Sequence, residues 1–245
     1  MTRCVGRSAG GSGAPSTVST LWIPESTHLA GDSAEVLSPG EQRRAKAFRR
    51  DADRHRYVVA HVWLRRLLGG LLDTPPAAVP IAAAACAHCG GPHGKPELPA
   101  STGLRFSLSH AGDVAMCAVG DAPVGMDVEV VPRGEDYLEL MDALEPRERS
   151  AVRAAPAAQR AAAFAQCWVR KEAYLKGTGE GLSRAPESVR VGVGDRFGDP
   201  GPAPAELGGW RIGDLDAPPG YAAGLAVLTP RSTGNCRADW LPDAL

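Results

Sequence analysis

Four charged residues in two short segments have the types and spacings that could do chemistry. In the segment VGMDVE, Asp127 and Glu129 are two residues apart, so in an extended strand both carboxylates leave the same face. In the segment WVRKEAYLKGTGEGL, Glu172 precedes Lys176 by four residues, which places both side chains on one face of a helix. Each pair also has an ordinary explanation: an exposed strand with one polar face, or a helix-stabilising surface ion pair.

The apolar pattern around Glu172 argues against a surface pair. Apolar residues precede and follow it at helical spacings: Ala161, Phe164, Ala165, Trp168 and Leu175. Glu172 lies one turn beyond Trp168, in line with this stripe, so it points towards the core. An unpaired carboxylate there is costly. We therefore expect Glu172 to meet a cation, which Lys176, a bound metal ion or both could supply.

Asp127, Glu129 and Glu172 form a set of oxygen ligands with no Cys or His nearby in the sequence. Such a set suits Mg²⁺ and does not suit zinc. Because Mg²⁺ is commonly shared between carboxylates and the phosphate oxygens of a substrate, basic residues become candidates for the other phosphate contacts. These candidates are Arg44, Arg56, Lys95, His110 and Lys176.

The elements that must position these residues begin with two helices. Ser38 is expected at the N-cap, Pro39 at the first helical position and Glu41 at the far side of a capping box. A second helix is predicted over 53–68, ended by the Gly-Gly pair that follows it. Its basic face is expected to carry three arginines: Arg54, Arg56 and Arg65.

The rest of the chain alternates strands and helices. Beyond a short strand at TLWIP, strands are predicted over 105–109, 114–119, 124–130, 189–193, 210–215 and 221–228. Helices are predicted over 136–143, 146–154 and 157–177, with Gly177 ending the last. This order predicts an α+β fold of two lobes that meet near 121–123. The expected boundaries are a disordered leader 1–17, an N-terminal lobe 18–122, a C-terminal lobe 123–230 and a tail 231–245.

The composition is that of an ordinary globular protein. Its 27 basic side chains nearly balance its 28 acidic ones, which disfavours nucleic acid and anionic membranes as partners. Neither a membrane-spanning run nor a secretory signal is recognisable, so we expect a cytoplasmic location. The six cysteines are scattered and do not form a disulfide framework.

Three other kinds of site or function are compatible with parts of the sequence. Cys86, Cys89 and His93 could bind zinc, but the sequence offers no clear fourth ligand, so a loop leading to Lys95 is favoured. A hydrolase is disfavoured because neighbouring strand residues such as Ser109 and His110 point to opposite faces. A binding module for nucleotides or carrier proteins, without turnover, remains the non-enzyme alternative.

The sequence resembles a known family, the 4′-phosphopantetheinyl transferases of the larger, surfactin-synthetase-activating type. The resemblance is carried by VGMDVE, WVRKEAYLKGTGEGL, FSLSH at 106–110 and HGKP at 93–96, which occur in the family's order. A weaker match, LSPGEQRRAKAF followed by DRHR, extends it over about 38–228. The family fold implied is a pseudo-dimer of two similar α/β lobes in one chain, a monomer with its active site in the cleft between them.

The resemblance implies transfer of phosphopantetheine from coenzyme A to a serine of an apo acyl or peptidyl carrier protein, with release of 3′,5′-ADP. The carriers implied serve polyketide or nonribosomal peptide synthesis, with fatty acid synthesis left open. Mg²⁺ would be held by Asp127, Glu129 and Glu172, and Lys176 would neutralise the pyrophosphate. Whether Glu172 is a metal ligand, the general base for the serine or both stays open.

The resemblance also implies ligand contacts for residues outside the two central segments. Lys95 and His110 would contact coenzyme A phosphates or the nearby nucleotide, Ser109 would lie beside the pyrophosphate, and Arg44 would hold the 3′-phosphate. Better-known members carry two lysines where this chain has Glu41 and Arg44. Glu148, which resembles a family position, is expected to be a surface helix residue.

Overall fold

The computed structural model describes residues 3–4, 17–22, 33–85, 89–92, 94–203 and 206–229. The predicted tail 231–245 and most of the predicted leader lie outside these ranges, as do Cys86 and His93. Within them, no helix combines the length and the apolar character needed to cross a bilayer. The free cysteines include Cys117 and Cys167, which are buried, and Cys89, which is exposed.

Helices and strands alternate along the chain much as the sequence predicts. The α-helices are α1 Ser33–Val36, α2 Pro39–Lys46, α3 Asp51–Leu72, α4 Pro146–Ala154 and α5 Arg160–Thr178. The strands are β1 Arg3–Cys4, β2 Thr17–Trp22, β3 Ala82–Ala83, β4 Pro96–Glu97, β5 Arg105–Ala111, β6 Val114–Gly120, β7 Val124–Val130, β8 Trp210–Leu215 and β9 Tyr221–Leu228. The protein is therefore of the mixed α+β class.

The predicted start of α2 is confirmed. Ser38 accepts a hydrogen bond from the amide of Glu41, and the Glu41 carboxylate accepts one from the amide of Ser38, so the capping box is closed in both directions.

The predicted end of α3 is wrong, because the helix continues through Gly69 to Leu72 and ends at Asp73 in the left-handed conformation. Gly69 does not end the helix. It lets the chain return close by, since a Cβ there would collide with the carbonyl of Thr74.

Arg65 does not belong to an exposed basic face, contrary to prediction. Only 2% of its side chain is exposed, and its Nε lies 2.6 Å from Glu41. Its Nη1 donates to the carbonyl oxygens of Pro76 and Val79. A buried guanidinium with several acceptors is satisfied where it lies, so Arg65 joins α2, α3 and the following turn and is a structural residue.

The strands form two antiparallel sheets and one short pair. The first sheet has the order β1-β2-β6-β5, the second has the order β7-β9-β8, and β3 pairs with β4. One apolar cluster joins the sheets, because β6 residues such as Met116 pack with Met126 of β7 and Leu225 of β9. Strand β7 is buried on both faces from Val124 to Val128. It is therefore not an exposed strand with one polar face.

Two segments differ in type from their predictions. Residues 136–143 form a 3₁₀ helix, and residues 157–159 form a 3₁₀ turn before α5 begins. Residues 189–193 were predicted as a strand but belong to none. Side chains take the place of a neighbouring strand there: Arg170 and Lys171 donate to the carbonyl oxygens of Val191 and Val189, and Glu148 accepts from the amides of Val191 and Gly192.

Glu148 is a core residue, so its prediction as a surface residue is wrong. Glu148 and Lys171 are both 0% exposed and lie 2.5 Å apart, Oε2 to Nζ. Besides the two amides, Glu148 accepts from the amide of Glu145, and Lys171 donates to the carbonyl oxygen of Pro186. Complete hydrogen bonding offsets the large cost of burying the two charges. The pair ties α4, α5 and the 186–192 segment together.

Strand β7 and helix α5 pack in direct backbone contact at Gly125. A Cβ on Gly125 would collide with the carbonyl of Ala173 and the amide of Gly177. We expect Gly125→Ala to reduce the free energy of unfolding by about 3 kcal/mol, because neither backbone can move without disturbing the core. Urea denaturation would measure the change.

Gly70→Ala is the matched control for that substitution. Gly70 lies in α3 with nothing within 4 Å of the position that a Cβ would take. Alanine is the better helix former, so this variant should be about 0.5–1 kcal/mol more stable than the parent. A Gly125→Ala variant as stable as the parent would show that β7 and α5 can separate.

Candidate active site

A buried carboxylate lies at the centre of the site. Asp127, on β7, is 1% exposed. Its Oδ1 accepts a hydrogen bond from the Ser109 hydroxyl of β5 at 2.7 Å and pairs with the Lys176 ammonium of α5 at 2.5 Å. Lys176 also donates to the Ser109 oxygen at 3.1 Å. Three elements distant in sequence thus meet at one carboxylate oxygen.

Lys176 bonds Asp127 in the structure, so the surface pair with Glu172 is not formed. Glu172 is half-buried on the same helix. Burial raises the pKa of Glu172, and the Asp127 charge raises it further. The inward orientation predicted from the apolar pattern is consistent with this position.

The carboxylates of this site disfavour one another's ionised form. Burial raises the pKa of Glu129 to about 7, with Asp127 the next cause. Burial also raises the pKa of Asp127, although Lys176 and Ser109 oppose the shift. The second oxygen of Asp127, Oδ2, is buried with no hydrogen-bond partner among the described residues. The single ammonium of Lys176 therefore does not balance the charge of the three carboxylates.

The carboxylates do not yet form a closed ligand set. Among the described residues, no three Asp, Glu, His or Cys side chains are arranged as they would be around a metal ion. The Lys176 ammonium holds Oδ1 of Asp127, and the Glu129 and Glu172 side chains are both partly exposed.

A cavity of about 510 Å³ opens beside Lys176 and His110. It is lined from α2 and α3 by Glu41, Tyr57 and His61, and from β3–β4 and β5 by a largely apolar wall that includes Phe106. Lys95, His110 and Lys176 place cationic or polar groups on this lining. Its size suits a nucleotide or a similar ligand.

Lys95 connects the N-terminal half of the chain to the end of α5. Its Nζ donates to the carbonyl oxygen of Gly177 at 3.0 Å and lies 3.5 Å from Glu97. The prediction that Gly177 ends α5 is wrong. The helix continues to Thr178, and Gly179 at φ +80° is its C-cap. Gly177 is required inside the helix because a Cβ would collide with the Trp210 ring.

Two of the predicted phosphate ligands lie off the cavity lining. Arg44 is exposed and stacks over the Phe48 ring at 5.4 Å. Arg56 pairs with Asp53 and Asp113. Arg44 and Arg56 would have to adopt other rotamers to contact a ligand in the cavity.

Sequence reasoning missed Tyr57, His61 and Phe106 as cavity residues. On the sequence they appear only as members of the apolar faces of a helix and a strand, which is the pattern of an ordinary core. The signal that could have found them is the pair Tyr57 and His61, two polar aromatic side chains one helical turn apart.

Comparison with known proteins finds a family that matches part of the chain. Residues 123–196, which contain Asp127, Glu129, Glu172 and Lys176, match the profile of the 4′-phosphopantetheinyl transferase superfamily. The chain is similar to this superfamily over these residues. The match covers α4 and two elements of the site: β7, which carries Asp127, and α5, which carries Lys176.

Curated members of the superfamily align with a longer part of the chain. The 4′-phosphopantetheinyl transferase HetI of Nostoc sp. is 35% identical over 64% of this chain and 65% of its own length. A 4′-phosphopantetheinyl transferase of Bacillus subtilis is 27% identical over 65% of this chain and 68% of its own length. Sfp of Bacillus subtilis strain 168 is 24% identical over 63% of this chain and 66% of its own length. The chain thus matches about two thirds of the length of these curated relatives.

Proposed function

We propose that the protein transfers the 4′-phosphopantetheine group of coenzyme A to a serine of an apo carrier protein and releases 3′,5′-ADP. The observation that carries the proposal is the Ser109–Asp127–Lys176 cluster beside a nucleotide-sized cavity. The names of the relatives, 4′-phosphopantetheinyl transferases, support the same activity.

The carboxylates fit a divalent cation by charge and chemistry. Asp127 Oδ2 is a buried carboxylate oxygen with no hydrogen-bond partner in the described part of the chain, and oxygen-only sets suit Mg²⁺. We propose that Asp127, Glu129 and Glu172 hold this ion. When bound, Mg²⁺ would neutralise charge on the pyrophosphate and make its phosphorus more electrophilic.

The chain's own residues would position the reactants and take up the proton. Lys176 would place its ammonium against the pyrophosphate, with Ser109 and Asp127 fixing the position of its Nζ. The carrier serine oxygen would form the new bond to phosphorus as the bond to the oxygen of 3′,5′-ADP breaks. The raised pKa of Glu172 suits it to accept the serine proton, whether or not it also binds the metal.

A transfer assay tests this proposal. Purified protein is incubated with coenzyme A, Mg²⁺ and a panel of apo carrier proteins from polyketide, nonribosomal peptide and fatty acid synthesis, and intact-mass spectrometry follows each carrier. We expect the phosphopantetheine mass on the carrier serine, and its loss when EDTA replaces Mg²⁺. Binding of coenzyme A without transfer to any carrier would favour the binding module.

The oligomeric state and the location can be checked in solution and in cells. We propose a cytoplasmic monomer; the monomer is supported by a candidate site assembled from residues of one chain. Sedimentation of the purified protein at micromolar concentration would test the monomer, and fractionation of cells would test the location.

A further inference from the structure

The cavity lining combines two kinds of side chain. Lys95, His110 and Lys176 supply polar and cationic groups, and the last two lie near Asp127. Much of the remaining lining is apolar or aromatic: Tyr57, Leu64, Ile81, Ala82, Ala83, Pro96, Phe106 and Leu108. A ligand with charged phosphates and a flat heteroaromatic base would find suitable partners for both groups on this lining.

His61 presents a hydrogen-bond acceptor to this cavity. Its ring stacks on the Tyr57 ring with centroids 3.8 Å apart. Its Nδ1 lies 2.9 Å from the Tyr57 carbonyl oxygen, which can only accept, so Nδ1 carries the proton. Burial lowers the pKa of His61 and keeps the ring neutral near pH 7. Nε2 is therefore an unprotonated nitrogen with a free lone pair.

Two other polar groups of the cavity wall have partners within the protein. The Glu41 carboxylate accepts from Arg65 and from the Ser38 amide at 2.6 and 2.7 Å. The Ser107 hydroxyl accepts from the Met126 amide at 3.0 Å. His61 Nε2 has no hydrogen bond to any residue in the described part of the chain.

We propose that His61 selects the base of the nucleotide, with Nε2 accepting a hydrogen bond from the 6-amino group of adenine. The proposal rests on the proposed function, which supplies coenzyme A as the ligand. Adenine carries an amino donor on a flat ring, which matches one acceptor within an apolar and aromatic wall. A base without that amine would leave Nε2 unpaired on binding.

Binding of 3′,5′-ADP tests this assignment without any transfer step. Calorimetry compares 3′,5′-ADP with its analogue that lacks the 6-amino group. We expect the unmodified protein to bind 3′,5′-ADP about tenfold more tightly than the analogue. In His61→Leu the two affinities should become about equal, through weaker binding of 3′,5′-ADP, and His61→Gln should restore part of the preference through its amide oxygen.

His55→Leu is the matched control on the same helix. His55 is absent from the cavity lining, and its buried Nε2 lacks a hydrogen-bond partner among the described residues, so leucine removes no bond there. The tenfold preference should persist in this variant. Equal affinities in the unmodified protein, or an unchanged preference in His61→Leu, would overturn the assignment.

The assignment and the proposed function fail in different ways. A protein that prefers 3′,5′-ADP but modifies no carrier would retain the role of His61 and lose the transferase proposal. Transfer without a base preference would do the reverse. No binding of 3′,5′-ADP at millimolar concentration would contradict both.

Discussion

Asp127→Asn is expected to abolish most of the carrier modification, with kcat/KM lowered by about 100-fold or more. The substitution removes the charge that pairs with Lys176 and replaces one oxygen with an NH₂ group that cannot accept. Lys176 then loses its fixed position, and the proposed metal site loses its most buried ligand. Steady-state transfer to an apo carrier at saturating Mg²⁺ would measure the loss.

The fold should tolerate this change. Asparagine has nearly the same shape, and burial already raises the pKa of Asp127, so the charge is costly to hold. Thermal unfolding should therefore differ little from that of the parent. Asp121→Asn, at an exposed turn residue, is the control for loss of one acidic charge. Near-normal Mg²⁺-dependent transfer by Asp127→Asn would disprove the role of this carboxylate.

Lys171→Met is expected to cost about 3–5 kcal/mol of unfolding free energy, the largest stability effect among these predictions. It would leave the Glu148 charge in the core without its cation, since both side chains are fully buried. The carbonyl oxygens of Pro186 and Val189 would also lose a donor. Chemical denaturation would give the change in free energy.

An exposed ion pair provides the comparison. Arg149→Met removes the partner of Asp142, whose side chain is 97% exposed, and should cost less than about 1 kcal/mol. Adding Glu148→Gln to Lys171→Met should recover part of the loss, because it removes the unpaired charge. A loss below about 1 kcal/mol in Lys171→Met alone would mean that the core adapts to a lone carboxylate.

Short-range sequence signals explain why some elements were predicted well. The start of α2 depends on Ser38, Pro39 and Glu41, all within one turn, and it was confirmed. The bounds of β7, β8 and β9 also agree with prediction, because turn residues and apolar runs delimit them. The sequence placed Asp127 and Lys176 at one candidate site, but their direct contact at 2.5 Å was not predicted.

Residues whose role depends on distant partners were predicted poorly. Glu148 and Arg65 look like surface charges on a helix, and only the folded chain supplies Lys171 and Glu41 to bury them. The segment 189–193 has the composition of a strand, but its backbone bonds to side chains instead. Spacing along one element cannot reveal such contacts, because their partners lie tens of residues away.

Consecutive residues of α5 have separate tasks on different sides of one helix. Lys171 lies in the fully buried pair with Glu148, whereas the next residue, Glu172, belongs to the carboxylate group around Asp127. A genetic screen for lost activity would therefore collect substitutions at both positions. Only those at Glu172 should leave the amount of soluble protein in cells unchanged, so measuring abundance beside activity would sort the two classes.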